Sequence, residues 1–321
     1  MLLPCSIEYP SCPVVCPDVD QQVLSRLTEN QEHLLREEAN KENVTGAVAY
    51  LTFLLYTDIV SIIIIYLTML FTDSVCVGID TTGGRKAFTY AALDQDLNVI
   101  ALADAELDEV TAFLGGQKSV TVAVNAPSHV NTGLVRKNLE KQSLTPHLLR
   151  GVDMRVAEYE LRERGIAISG TGSRELLCPA WVQVGFALYA RLSKLGFKPY
   201  PDEEESHIWL ETHPHACFCV LLGHTPLPKP TLEGRLQREL ILFEQGVRIK
   251  DPMIFYEEIT RHKLMNGVLP LELVHLPEQL DALVAAFTAW WATVRHGVIT
   301  RVGNKQEGII ALPGPSLKEK Y

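Results

Sequence analysis

Four short apolar runs with few charges predict strands in the middle of the chain. They are Val75–Ile79, Ala87–Leu93, Val99–Ala103 and Val120–Val124, and their length and β-branched residues are typical of strands in a buried sheet. A segment with helical spacing, Glu106–Leu114, separates the third strand from the fourth. Three strands with tight connections, then a helix and a fourth strand, predict an α/β domain with a mixed sheet.

Helical patterns dominate the second half of the chain. A strand is predicted from about His207 to Glu211, and a hairpin around Gly303 and Asn304 is predicted near the C-terminus. The apolar residues recur at helical spacing in five other segments, which are Met154–Arg164, Glu175–Leu195, Leu232–Gln245, Pro252–Leu264 and Pro277–Arg295.

Residues 1–74 differ from the rest and are predicted to be an N-terminal extension with helical segments. A charged amphipathic helix is predicted from Asp18 to Asn43, and residues 47–71 form an apolar stretch long enough to span a bilayer. Asp58 near its middle would cost about 2.5–3.5 kcal/mol on insertion scales. Three interpretations stay open: a membrane anchor, a buried helix, or an upstream stretch outside the working protein, which would then start at Met69. The mass of the natively expressed protein tests the third.

Composition narrows the class of protein. The chain has 321 residues, of which 47% are hydrophobic and 21% charged, so it is able to form a full core. Its formal net charge of −10 argues against a broad basic face for nucleic acid, so such a contact must be local or metal-mediated. The seven cysteines are scattered and odd in number. That pattern favours a reducing, cytoplasmic location, with anchoring through residues 47–71 as the alternative.

Three carboxylates stand at positions suited to a catalytic site. Asp80 ends the first strand, and Glu211 lies where a strand meets a helix opened by Pro214. Asp281 lies on a predicted helix, and the residues around it are small, which would let its carboxylate approach the edge of the sheet closely. The alternatives are a turn-opening role for Asp80 and a helix-dipole role for Asp281 in a first turn. If the three converge, they would hold Mg²⁺ or Mn²⁺ and activate water for attack on phosphorus.

Two other motifs have simpler explanations. His213, His215, Cys217 and Cys219 alternate, but residues two apart do not share a helix face, so packed thiols are favoured over a zinc site. In the glycine loop before Glu175, Ser173 is predicted to cap the following helix.

Several short motifs follow one another in the order of a known family. Together they resemble the domain-of-unknown-function family 429, regarded as predicted nucleases of ribonuclease H-like fold. The resemblance covers about Val75 to Pro313 and leaves residues 1–74 uncovered. The motifs are Val77–Asp80, Val122–Pro127, Arg155 with Glu158 and Arg162, Glu211–Pro214, Lys229–Thr231 with Gly234 and Arg235, Asp281–Ala286, and Glu307–Pro313.

The resemblance implies a ribonuclease H-like domain over residues 75–313, followed by a tail at 314–321. Its mixed sheet would have five strands flanked by helices, with the first three strands antiparallel. The implied metal ligands for Mg²⁺ or Mn²⁺ are Asp80, Asn125, Glu211 and Asp281, and Asn125 stands where the family usually has Asp. The candidates for contacting substrate phosphate are Arg155, Arg162, Lys229, Arg235 and Arg238.

Three functions follow from these observations. The first is a metal-dependent phosphodiester hydrolase acting on nucleic acid, with Asp80, Glu211 and Asp281 as catalytic residues. The second is a nucleotide-binding or phosphotransfer protein of the actin and sugar-kinase lineage, because residues 80–84 loosely resemble its first phosphate loop. The third is a binding module with a weakened site, an interpretation supported by Asn125 and by the acidic net charge.

Overall fold

The computed structural model describes residues 74–81, 87–142, 153–201, 205–294 and 298–321. The predictions for the N-terminal extension, including its apolar stretch 47–71 and a start at Met69, lie outside these residues. Residues 82–84, which belong to the stretch that resembles the first phosphate loop of the actin and sugar-kinase lineage, also lie outside them. No helix within the described ranges is long and apolar enough to cross a membrane.

The described strands form one mixed sheet. They run in the order β3-β2-β1-β4-β6-β8-β7, with β5 beside β6. Pairs β1–β2 and β2–β3 are antiparallel, as predicted, whereas β1–β4 and β4–β6 are parallel. The strands are β1 Val75–Asp80, β2 Phe88–Leu93, β3 Val99–Ala105, β4 Val120–Asn125, β5 Lys198–Pro199, β6 His207–Glu211, β7 Ile299–Asn304 and β8 Gly308–Pro313.

The predicted count of five strands was too low. The C-terminal hairpin β7–β8 joins the sheet through the pairing of Ile310 with Glu211, and the two-residue strand β5 adds to the edge of β6, so the described sheet has eight strands. The hairpin itself was predicted, but its attachment to β6 depends on a contact between residues about a hundred positions apart, which local patterns do not encode.

Helices cover both faces of the sheet. Val77 and Ile79 of β1 pack on one face of the sheet with α1 (Leu107–Gly115) and α4 (Ala180–Lys194). Cys76 and Gly78 lie on the other face, toward α8 (Pro277–Val294). Helix α8 is buried without a break from Leu280 to Ala292. The helices are α1 Leu107–Gly115, α2 Leu134–Gln142, α3 Val156–Glu163, α4 Ala180–Lys194, α5 Pro214–Leu222, α6 Leu232–Glu244, α7 Ile254–Asn266 and α8 Pro277–Val294.

The helix predicted at Glu175–Leu195 begins later than expected. Residues Glu175–Leu177 form a single 3-10 turn, and α4 starts only after Pro179. A proline disfavours helical backbone in the residue before it, and Cys178 is accordingly extended, with φ −79° and ψ 151°. The predicted cap at Ser173 was therefore wrong. Helix α2 was not predicted, because its sequence is mostly polar.

Candidate functional site

Two polar side chains lie side by side where parallel strands β1 and β4 end. Asp80 and Asn125 are paired residues in the register of these strands, and both are buried. The Asn125 amide donates a hydrogen bond from Nδ2 to Asp80 Oδ1 at 2.6 Å. Because one partner is an amide, this pair has one carboxylate instead of two.

Helix α8 brings a second carboxylate to this edge by lying directly on β1. An ideal Cβ built on Gly78 would stand 2.0 Å from Ala282 O and 2.1 Å from Ala286 N, so only glycine fits this contact. Small residues on α8 thus allow the close approach that the sequence predicted. Asp281 precedes Ala282 and lies in the second turn of α8 rather than the first, so the predicted first-turn role in the helix dipole does not apply.

Asp281 is buried in a charged environment. Burial raises its pKa from 3.8 to about 7, and the negative charge of Asp80 adds to the rise, whereas Lys229 and Arg238 oppose it. The Lys229 ammonium forms an ion pair with Asp281 Oδ2. The Lys229 side chain is 36% exposed, so this partner of a buried carboxylate reaches solvent.

The raised pKa predicts that stability falls as pH rises. Between pH 3.8 and about 7 the folded protein holds a proton on Asp281 that the unfolded chain has released. This contribution to stability is full below pH 3.8 and is lost as pH rises through about 7. Asp281→Asn cannot titrate and should flatten that part of the curve. Urea unfolding with chelator from about pH 5 to 8 tests this, with the exposed Asp96→Asn as control; equal slopes in Asp281→Asn and wild type would contradict it.

Glu211 lies on the other face of the sheet. It pairs in register with Val124, whose side chain belongs to the core beneath α1 and α4, whereas Asp80 follows the alternation of Gly78 toward α8. The structure therefore brings Asp80, Asn125 and Asp281 together on one side of this edge, and places Glu211 on the other side of a cavity that Asn125 and Asp281 also line. Metal ligation by Glu211 stays a prediction.

Both oxygens of Glu211 are already bound within the protein. Arg155 donates to them from Nη2 at 2.5 Å and from Nη1 at 3.0 Å, which is a bidentate pair. Ser128 donates to Oε2 from its backbone N and from its Oγ, each at 2.8 Å. Glu211 is thus held in place by donors of the protein on both of its oxygens.

Arg155 is the centre of this buried network. Its Nε donates to Glu158 Oε1 at 2.7 Å and its Nη1 also donates to the Glu307 carbonyl at 2.9 Å. Burial alone would lower its pKa, but Glu211 and Glu158 outweigh that effect and hold the pKa above its ordinary value. Since four of its five N–H groups are taken by protein acceptors, its predicted contact with substrate would require breaking this network.

Two other residues of this network, Glu307 and Glu158, lie in the sequence motifs, but the motifs did not indicate their roles. The carboxylate of Glu307 accepts hydrogen bonds from Thr132 and from the backbone N of Val156 at 2.9 Å. Glu158 also accepts from the Thr171 backbone N at 2.9 Å. The three-residue spacing of Arg155 and Glu158, typical of a helix start, is the one local signal that could have indicated them.

The other predicted phosphate-binding residues mostly anchor the backbone. Arg162 donates to the Ile168 carbonyl at 2.6 Å, and Arg235 donates to the His275 carbonyl at 2.7 Å. Arg238 is buried and donates to two carbonyls at 2.8 Å. Lys229 differs, because its ammonium pairs with the Asp281 carboxylate and not with a backbone carbonyl.

The histidines and cysteines after Glu211 belong to the start of α5. His213 caps this helix, and its Nδ1 accepts from the Ala216 backbone N at 3.2 Å. Burial, together with the charges of nearby basic groups, lowers its pKa to about 3. Cys217 and Cys219 are buried, and burial raises the pKa of each thiol to about 11, so their prediction as packed thiols is confirmed.

A cavity of about 250 Å³ lies at this edge of the sheet, among the side chains described above. Its wall carries both acidic and basic side chains and the N-terminal turn of α5, with one aromatic residue, Trp181, at its side. Polar residues that the preceding paragraphs describe converge on it, namely Asn125, Arg155, Glu211, His213, Lys229 and Asp281.

The sequence was compared with models of protein families. Residues 78–307 match the family described as protein of unknown function (DUF429). The chain belongs to this family. The match begins at Gly78, the residue that admits α8, and ends at Glu307 in the buried network. No curated protein and no solved structure matches the chain. The family resemblance noted from the motifs is thereby confirmed, although the family's description assigns no activity.

Proposed function

We propose that this member of the family is a metal-dependent phosphodiester hydrolase of ribonuclease H-like fold that acts on nucleic acid. One observation carries the proposal: Asp80 and Asp281 approach each other from β1 and α8 beside Asn125, and their repulsion helps to raise the pKa of Asp281 to about 7. Two carboxylates held together away from water favour a bound cation.

The strand arrangement supports the fold assignment. The three antiparallel strands β1 to β3, followed by parallel β4 and β6, agree with the mixed sheet implied by the family resemblance. An acidic residue at the end of β1 and another on the last helix agree with the implied site. Strands β5, β7 and β8 extend the sheet beyond the implied five.

The side chains at this edge fit a hard cation. Asp80 and Asp281 offer carboxylate oxygens and Asn125 offers an amide oxygen, the donor types that Mg²⁺ and Mn²⁺ prefer. Among the described residues, no group of three or more His, Cys, Asp or Glu side chains is arranged to hold a metal ion. That finding is compatible with a ligand set of two carboxylates and one amide, and it gives no support for Glu211 as a further ligand.

A metal ion bound here would supply Lewis acidity toward a phosphodiester and would lower the pKa of a water molecule. The residues of the chain have separate tasks. Asn125 fixes the orientation of Asp80 through its hydrogen bond. Lys229 neutralises Asp281 in the absence of another cation, and its partly exposed stem lets it turn toward a substrate phosphate. Arg155 and Glu211 keep the adjoining wall rigid.

Calorimetric titration with Mn²⁺ tests the site directly. The full chain should bind Mn²⁺, and Asp80→Asn should weaken binding by at least about tenfold, because it removes one of two anionic ligands. Asp96→Asn removes the same charge from an exposed position and should bind as wild type does. The metal-binding proteins then enter a nucleic-acid cleavage screen. Undiminished Mn²⁺ binding by Asp80→Asn would refute the assignment.

A second candidate, a binding module with a weakened site, is favoured by one specific observation. Glu211 forms an ion pair with Arg155, and Asp281 forms one with Lys229, so each of these carboxylates already has a cationic partner within the protein. The absence of Mn²⁺ binding by the wild-type chain in the same titration would select this function over hydrolysis.

A further inference from the structure

A second, larger cavity lies next to the candidate catalytic cavity. Its volume is about 520 Å³, and Glu211 borders both cavities. It forms where the edge of β6 changes partner: Trp209 pairs with Pro199 of β5, whereas Glu211 pairs with Ile310 of β8. The two partner strands leave a gap between them, and residues of β6, β7 and β8 line it.

The wall of this cavity is aromatic and basic. Tyr200 and Trp209 supply rings, and Arg301, Lys305 and His129 supply cationic or titratable groups. Glu211, the one acidic residue among the described residues that line it, forms an ion pair with Arg155. Rings for stacking beside cations for phosphates are the two features that single-stranded nucleic acid requires of a groove.

Neither Arg301 nor Lys305 forms an ion pair with any residue in the described part of the chain, and both are exposed. Unpaired cations beside a cavity stand out in a protein with 39 acidic and 29 basic residues. They mark a local basic site on an acidic molecule, the kind of contact that the net charge left open.

We propose that this second cavity binds one nucleotide of a single-stranded nucleic acid, with its base beside Tyr200 and Trp209 and its phosphate at Arg301 and Lys305. The inference rests on the proposed function, which it deepens: the strand would continue from the catalytic cavity past Glu211 into the second one. A base within a duplex is stacked and paired, and so would not enter this cavity. The substrate is therefore single-stranded.

Binding of a fluorescent single-stranded oligonucleotide to the full chain in EDTA tests the inference without cleavage. Arg301→Ala combined with Lys305→Ala should weaken binding by about tenfold and lower the slope of log affinity against log salt by about 0.7, the value expected for the loss of one phosphate contact. The matched control is Arg248→Ala combined with Lys250→Ala. Both residues are exposed, and Arg248 forms the bridge to Asn98 beside β3, at the opposite edge of the sheet. This double substitution changes the net charge by the same amount.

The outcomes test nucleotide binding in the second cavity separately from the proposed hydrolase activity. Equal loss in both double variants would show non-specific electrostatics, and undiminished binding by the Arg301 and Lys305 variant would show that the cavity is not used; either result overturns the inference. A duplex of the same sequence that binds as tightly as the single strand would overturn it as well, as would a wild-type chain that binds no oligonucleotide. Single-strand binding that depends on Arg301 and Lys305 without Mn²⁺ binding would support the inference and refute the hydrolase instead.

Discussion

Replacing Arg155 with methionine is expected to lower the free energy of unfolding by about 3–5 kcal/mol, because it leaves buried carboxylates without their cationic partner. The side chains of Arg155, Glu158 and Glu211 are each 2% exposed or less, so water cannot replace the lost hydrogen bonds. Methionine keeps much of the length and volume of the arginine stem, so the loss reports charge and hydrogen bonding more than packing. Urea unfolding followed by circular dichroism measures it.

Arg162→Met is the matched control for this substitution. Arg162 lies on the same helix, α3, but it is exposed and donates one hydrogen bond to the Ile168 carbonyl. Its loss should cost no more than about 1 kcal/mol. Adding Glu211→Gln to Arg155→Met should restore part of the stability, because it removes one of the two buried carboxylate charges that Arg155 compensates. A loss for Arg155→Met as small as that for Arg162→Met would contradict the central role of this network.

Local patterns predicted the elements of this chain better than its long-range pairings. The apolar runs located β1 to β4, and the small residues after Asp281 indicated a helix that lies close to the sheet. They could not place Glu211 with Arg155, because these residues are 56 positions apart and their pairing depends on how β6 lies against α3. The motif order drew attention to both residues, yet it assigned one to the metal and the other to the substrate.

Strand register explains why the predicted three-carboxylate site is only partly assembled. Asp80 and Asn125 are register partners, so their side chains share a face, but Glu211 pairs with Val124, one residue earlier along β4. A one-residue shift in register moves a side chain to the opposite face. Since register is set by pairing between distant strands, the sequence could indicate three strand-end acids but not which of them face each other.

Replacing Gly78 with alanine is expected to cost at least about 3 kcal/mol, at or above the upper end of ordinary overpacking in a core. The new Cβ would stand 2.0 Å from Ala282 O, and both this atom and Ala286 N belong to the backbone of α8, which cannot turn aside as a side chain could. Helix α8 or strand β1 must therefore shift by more than an ångström. Because Asp80 lies on this strand and Asp281 on this helix, the shift should also weaken Mn²⁺ binding, which calorimetry would measure alongside urea unfolding.

Gly115→Ala separates this contact from a general effect of replacing glycine. Gly115 is the last residue of α1, and a Cβ built there meets nothing within 4 Å. Alanine at that position should be neutral or should stabilise the helix by up to about 1 kcal/mol. If Gly78→Ala were equally harmless, the close packing of α8 on β1 would be wrong. If it destabilised the protein but left Mn²⁺ affinity unchanged in the folded fraction, the metal site would not depend on the junction of Asp80 with Asp281. Loss of both stability and Mn²⁺ affinity is the expected result, because one glycine sets the distance on which the core and the proposed site both depend.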